Sequence, residues 1–361
     1  MTSGAVMPAR RASTRNTGVD ALRLVSISAV VLGHAYLSRL EFAEYLEVWR
    51  MPLFFFLSGY FWTRGRAFVP DLRGRWTALA VPYLVWAVIM SAVAWRWSEG
   101  DLERFGELMR AGWYGGADQE PPWWAFWFIS VLFFTTVLRR LLERFPSPVA
   151  WLLSFAGLWV SYAVPDSWIA RTPLGIGLAF PCLFFILAGE LFRRRIEPNV
   201  VRHRALIGTA LILGGLAAVA AGLEPHNIKF GGFGTPVLTP LVGTAMAAGA
   251  VLVFGSFVNR LLRILSERTG AGRAIRRGIS ALVRTGTAVV LVHGAVLMEL
   301  IDLGVTDPFT KWVLTLLISW AIGLILLATP LSRLLTGVPR QYHPFRRRLV
   351  RGPSPAPQDG S

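Results

Sequence analysis

Residues 20–34 read Asp20-Ala-Leu-Arg23-Leu-Val-Ser26-Ile-Ser28-Ala-Val-Val-Leu-Gly33-His34. The apolar stretch that holds them extends over residues 21–38 without the alternation of a strand. That is close to the ~20 residues a helix needs to cross the ~30 Å hydrocarbon core of a bilayer. Nine comparable stretches follow, at 49–63, 76–95, 123–138, 149–165, 174–192, 205–222, 236–258, 286–304 and 310–332. Backbone polar groups in lipid must be satisfied internally, which leaves helices or closed barrels. Unbroken apolar runs choose helices. The expected fold is therefore all-α: a polytopic membrane helix bundle of about ten transmembrane helices. The second and fourth stretches are short and need tilt or local bilayer thinning.

Composition agrees. The chain is 54% hydrophobic and only 16% charged, against about 25% charged in a soluble domain. Disorder, a collagen-like fibre, a coiled coil and an ordinary soluble enzyme are excluded. The single Cys182 leaves no disulfide framework and no multi-Cys metal site. No small-residue cleavage site follows the first apolar run directly, so that run reads as a retained span.

The net charge of +16 is carried almost wholly by arginine, with lysine only at Lys229 and Lys311. With the N-terminus inside and alternating crossings, 28 of the 37 cations fall on the inner side. The outer segments hold acids such as Glu41, Glu44, Glu47, Glu99, Asp101 and Asp118. This positive-inside pattern places both termini in the cytoplasm. The excess charge is then topology and contact with anionic lipid, and no nucleic-acid partner is expected. Residues 1–19 form a cytoplasmic segment, 20–336 the transmembrane domain, and 337–361 a basic then Pro-rich, disordered cytoplasmic tail. The inner segment Asn259–Thr285 is a candidate basic surface helix.

Ionisable groups within a span are costly and mark function by default. Arg23 and His34 are eleven residues apart, about three helical turns, so they share one face and are separated by roughly 16 Å along the axis. A cation at the inner mouth and a titratable base beyond mid-bilayer suggest a path entered from the cytoplasm. Each alone has a plainer explanation: Arg23 as a snorkelling headgroup contact, His34 as an interhelical polar contact. In the next span, Arg50-Met51-Pro52-Leu53-Phe54-Phe55-Phe56-Leu57-Ser58-Gly59-Tyr60 places Pro at a helix start and Ser58-Gly59 where helices approach closely. Arg73-Gly74-Arg75 then offers forked donors suited to phosphate, or simple membrane anchoring.

Arg23-x10-His34, Met51-Pro52-Leu53-Phe54-Phe55-Phe56-Leu57-Ser58-Gly59 and the Arg73-Gly74-Arg75 pair, in this order, resemble the integral-membrane acyltransferase family 3, most closely its fucose 4-O-acetylase-like branch. Weaker echoes are Trp124–Trp127, Phe180-Pro181, Phe184-Phe185 and Gly189, and Leu291-Val292-His293. The resemblance implies about ten helices that move an acyl group, usually acetyl, from cytoplasmic acyl-CoA to a hydroxyl of a cell-surface glycan, lipid-linked sugar or glycosylated metabolite. It implies a multi-pass protein of the plasma membrane, such as a bacterial inner membrane. By position, His34 is the expected catalytic histidine, as base or acyl carrier, and Arg23, Arg73 and Arg75 are expected to bind the CoA phosphates. Ser58, Tyr60 and Trp127 are candidates for oxyanion or acceptor contacts. No metal or permanently bound cofactor is implied; acetyl-CoA enters as donor substrate, and its thioester would reach His34 while its phosphates stay at the arginines.

The chain departs from the pattern at Arg50, where the branch often has a second histidine, and at Gly286 and Val290, where relatives often carry Ser and Tyr. No role is therefore assigned to His293. Two other functions compete. A transporter or flippase for a glycan, lipid or metabolite would use the same polar stripe. Ion-coupled transporters tend to scatter mid-span acids, whereas Glu190 and Glu299 lie towards helix ends. A membrane scaffold would explain the topology but not the Arg23–His34 stripe.

Overall fold

A computed structural model describes residues 16–36, 42–164 and 168–341. The two ends of the chain, on which the assignment of both termini rests, lie outside them. Among the described residues all ten apolar stretches are mainly helical, and no strand occurs. In chain order the helices are α1 (Thr17–Tyr36), α2 (Ala43–Tyr60), α3 (Phe68–Arg75), α4 (Val81–Trp97), α5 (Leu102–Tyr114), α6 (Phe126–Leu142), α7 (Ser147–Ala163) and α8 (Ala179–Leu191). They continue as α9 (Arg204–Ala220), α10 (Leu238–Val253), α11 (Asn259–Arg268), α12 (Gly270–Arg284), α13 (Gly286–Asp302), α14 (Pro308–Ala328) and α15 (Ser332–Leu335). Wider π-type turns make α3 and α4 one continuous rod, and likewise α10 and α11.

Five of the helical rods are long and apolar enough to cross a membrane. The pair α12 and α13, bent by 72° at their junction, makes a sixth if taken together. Most of the other apolar runs form helices of 17 or 18 residues (α2, α6, α7 and α9). At 1.5 Å per residue these measure about 26 Å, just short of the ~30 Å core. The expectation of ten full crossings therefore meets helices of two length classes.

α2 sits at the centre, packed on α1, α8 and α10, while α8 also meets α6 and α7. Glycine permits the tightest of these contacts. A Cβ on Gly59 of α2 would lie 1.9 Å from the Ile186 carbonyl oxygen of α8, and one on Gly189 would lie 2.0 Å from that of Phe56. Gly208 and Gly249 join α9 to α10 in the same reciprocal way. Without water to expel, helices in lipid associate through such close van der Waals packing. Around this seam Phe55, Phe56, Phe126 and Phe185 are fully buried.

One end of the bundle is rich in arginine. Glu190 takes Arg139 at 2.7 Å and also holds Arg64, while Asp71 takes Arg75 at 2.6 Å and Arg140 at 3.1 Å. These carboxylates are buried and saturated by guanidinium donors, the arrangement that keeps a buried charge tolerable. They fasten α3, α6 and α8 into a rigid plate. At the opposite end the acidic loop after α4 folds into α5, capped by Asp101, whose side chain accepts from the amides of Glu103 and Arg104. The basic segment 259–285 forms α11 and α12, largely exposed.

Candidate active site

α1 and α2 run antiparallel and are tied at two levels. At the middle of α1, the Ser26 hydroxyl donates to the Arg50 carbonyl at 3.2 Å. Near its start, the Arg23 guanidinium lies 4.6 Å from the centroid of Phe61. This direction brings Arg50 beside His34. Gly33 makes room: a Cβ there would come within 1.8 Å of Arg50 Nη1. One turn earlier, Glu47 pairs with Arg50 at 3.3 Å.

These groups line a cavity of about 470 Å³. Its walls include His34, Glu47, Arg50, Trp124, Trp127 and Lys229, with Val30, Phe54 and Phe128 towards the Arg-rich end. The Phe54 and Phe128 rings, 5.2 Å apart, pack together on that side. His34 is half-buried, its ring centroid 4.6 Å from Trp124 and 5.4 Å from His293. His293 itself is 1% exposed. Its Nδ1 donates to the Val289 carbonyl at 3.1 Å, which fixes the tautomer and leaves a buried Nε2 with no partner among the described residues. Two imidazoles and an indole thus meet where the sequence singles out one imidazole.

The remaining wall comes from the connection between α9 and α10. Asn227 and Gly232 exchange backbone hydrogen bonds of 2.8 and 3.0 Å, closing a turn that needs a left-handed residue. Gly231, at φ +78°, supplies it. The turn presents Lys229, whose ammonium donates to the Gln119 carbonyl at 2.5 Å and lies 5.1 Å from the Phe230 ring centroid. Burial pulls the Lys229 pKa down to about 8, against the smaller upward pull of Glu120 and Asp118. His226, packed edge-on against Phe185 at 5.5 Å, is pushed by burial down to about 3 and stays neutral.

The expected phosphate-binding residues sit elsewhere. Phe61 and Trp62 gather them at the Arg-rich end: Arg23 over Phe61, Arg75 at 4.6 Å and Arg140 at 4.4 Å over Trp62. Such guanidinium–ring stacking holds cations in place at small cost. Arg75 is locked by Asp71, whereas Arg73 is exposed. A second cavity of about 200 Å³ lies here, between Arg64, Arg139 and Glu143. None of Arg23, Arg73 and Arg75 lines the cavity at His34. Of the candidate oxyanion groups, Trp127 lines it, but Ser58 and Tyr60 do not. The Ser58 hydroxyl is turned back to the Phe54 carbonyl at 3.0 Å, and the Tyr60 hydroxyl donates to Glu197 at 3.2 Å at the Arg-rich end. No group of three or more metal-ligating side chains occurs among the described residues.

Sequence reasoning missed Glu47, Arg50, Lys229 and His226 as parts of this site. One signal pointed at Lys229: it is one of two lysines in a chain whose other cations are all arginine.

The family model of the integral-membrane acyltransferase domain, described as "Acyltransferase domain", matches residues 16–337. No curated protein and no solved structure matches the chain significantly. The match covers most of the sequence and all fifteen helices, and the chain belongs to this acyltransferase family.

Proposed function

We propose that this membrane acyltransferase is an O-acyltransferase that takes an acyl group, acetyl in the expected case, from cytoplasmic acyl-CoA. It passes the group to a hydroxyl of a cell-surface glycan, lipid-linked sugar or glycosylated metabolite. The Arg-rich end faces the cytoplasm, following the positive-inside bias, in a plasma membrane such as a bacterial inner membrane. The observation that carries the reading is the placement of His34 on the wall of a cavity large enough for a sugar ring, backed by His293 and Trp124.

The chemistry runs as follows. A ring nitrogen of His34 accepts the proton of the acceptor hydroxyl while that oxygen attacks the thioester carbonyl. The tetrahedral oxyanion needs donors, and the Trp127 indole N–H is the one of the three expected candidates on the cavity wall. Collapse breaks the carbon–sulfur bond. The leaving thiolate takes the proton from the imidazolium, giving an ester and free CoA thiol. Were His34 an acyl carrier instead, the same nitrogen would attack the thioester first and pass the acyl group on.

Arg23, Arg73 and Arg75 would hold the donor phosphates by charge-assisted hydrogen bonds. The offset of roughly 16 Å between Arg23 and His34 along α1 suits a long, thin donor arm. To reach His34, that arm would run past Phe54 and Phe128, which line the cavity.

The test is incubation of the purified chain with radiolabelled acetyl-CoA and a panel of neutral, anionic and lipid-linked glycans. Label appearing in an alkali-labile ester of one acceptor supports the reading. A folded chain that labels none of them, in an assay validated with another acetyltransferase, overturns it.

A further inference from the structure

Resting on the acyltransferase reading, we infer that the half of the cavity farthest from the arginine cluster is an acceptor subsite for an anionic sugar, in which Lys229, supported by Arg50, binds a phosphate or carboxylate of the molecule that receives the acyl group. The charge inventory points there. Arg50 is neutralised by Glu47 at 3.3 Å. Lys229 is not matched in this way: among the described residues no carboxylate lies within ion-pair distance of its ammonium, which meets a backbone carbonyl and a ring face instead. Asp118 and Glu120 act on it only from farther away. A partly desolvated cation without a counter-ion is costly in a folded protein. An anion entering the cavity would supply the missing partner.

The shape of the site agrees. Lys229 is carried on a closed turn and braced by Gln119 from another loop, so its position is preset. Trp124, Trp127 and Phe230 line the same cavity and offer ring faces to the apolar side of a sugar. Both cations share that cavity with His34. An acceptor anchored there by its anion would present a neighbouring hydroxyl to the imidazole. Binding energy far from the reacting bond would thereby orient the group that reacts.

The probes are glucose 1-phosphate, glucuronate, methyl glucoside and inorganic phosphate, titrated by thermal shift against the solubilised full-length chain. A charge-assisted contact corresponds to a roughly ten- to hundredfold difference in affinity. The expected result is that one or both anionic sugars bind more tightly than methyl glucoside by that factor, which also tells phosphate from carboxylate. Lys229→Met should erase the preference and Lys229→Arg should keep it. Equal binding of neutral and anionic sugars by the unmodified chain overturns the inference, as does a preference that survives in Lys229→Met. Inorganic phosphate binding as tightly as glucose 1-phosphate would reduce the cavity to a bare anion site and also overturn it. Labelled acetyl transfer, read in parallel, tests the enzymatic reading separately: a chain that shows the Lys229-dependent preference but transfers no acetyl keeps the subsite and loses the reaction.

Discussion

A single methyl group at Gly33 separates the role of Arg50 from the stability of the fold. A Cβ at this position would lie 1.8 Å from Arg50 Nη1 and 3.0 Å from its Cζ. Non-bonded heavy atoms rest at about 3.5 Å, so the guanidinium in Gly33→Ala must retreat by roughly 1.5–2 Å. What it meets is the far end of a flexible side chain, so the backbones of α1 and α2 need not move. The helix itself gains, since alanine is favoured over glycine by about 0.5–1 kcal/mol in a helix interior. Retreat breaks the Arg50–Glu47 geometry of 3.3 Å and removes a cation from beside His34. Because Arg50 is already paired with Glu47 and only supports Lys229, losing it should cost about 0.5–1 kcal/mol and raise the acceptor KM roughly two- to fivefold. The KM for acyl-CoA should stay nearly fixed. The assay is initial-rate acetyl transfer with each substrate varied in turn, alongside the thermal unfolding midpoint. Unchanged acceptor kinetics would refute the placement of Arg50 at the acceptor. A midpoint lowered by more than the roughly 1 kcal/mol that the broken Arg50–Glu47 pair can account for would refute the claim that only a side chain yields.

Other consequences follow from the same geometry. Gly59→Ala puts a methyl against the Ile186 backbone at 1.9 Å, where nothing flexible can give, so α2 and α8 must separate. A loss of about 1–3 kcal/mol is expected, visible as a lower unfolding midpoint in detergent; an unchanged midpoint would contradict the seam. Arg73→Ala, at an exposed position, should raise the KM for acyl-CoA roughly tenfold and leave the acceptor KM alone, and equal effects on both would contradict its assignment to the donor. Lys229 is charged below its pKa of about 8 and neutral above it, so affinity for an anionic sugar should fall as pH rises through 8. Lys229→Arg should hold that affinity flat to higher pH, because arginine stays charged there.

The helices were legible because length and lack of alternation are local properties. Every apolar run became a helix among the described residues, and the small residue Gly59 does mark a very close helix contact. The roughly 16 Å offset and shared face of Arg23 and His34 follow from helical geometry alone. Much of the cavity was not legible, since it is assembled across long sequence separations. Lys229 reaches the carbonyl of Gln119, 110 residues earlier, and His293 meets His34 only because α13 packs on α1. Arg50 looked like a missing histidine in the linear pattern. Its role as a cavity wall depends on the glycine opposite it, on a different helix. Tyr60 looked like a neighbour of the site because it follows Ser58-Gly59, yet the direction of α2 carries it to the Arg-rich end, onto Glu197. α5 was overlooked because a short polar helix in a loop has no apolar run to announce it.

In the proposed reaction the imidazole of His34 performs the transfer. Single-turnover transfer from labelled acetyl-CoA, measured for the unmodified chain and for His34→Ala at matched unfolding midpoints, addresses it most directly. Transfer should fall at least about a hundredfold, the lower range for loss of a positioned acid–base group, while acyl-CoA still binds. Turnover near that of the unmodified chain would contradict the account.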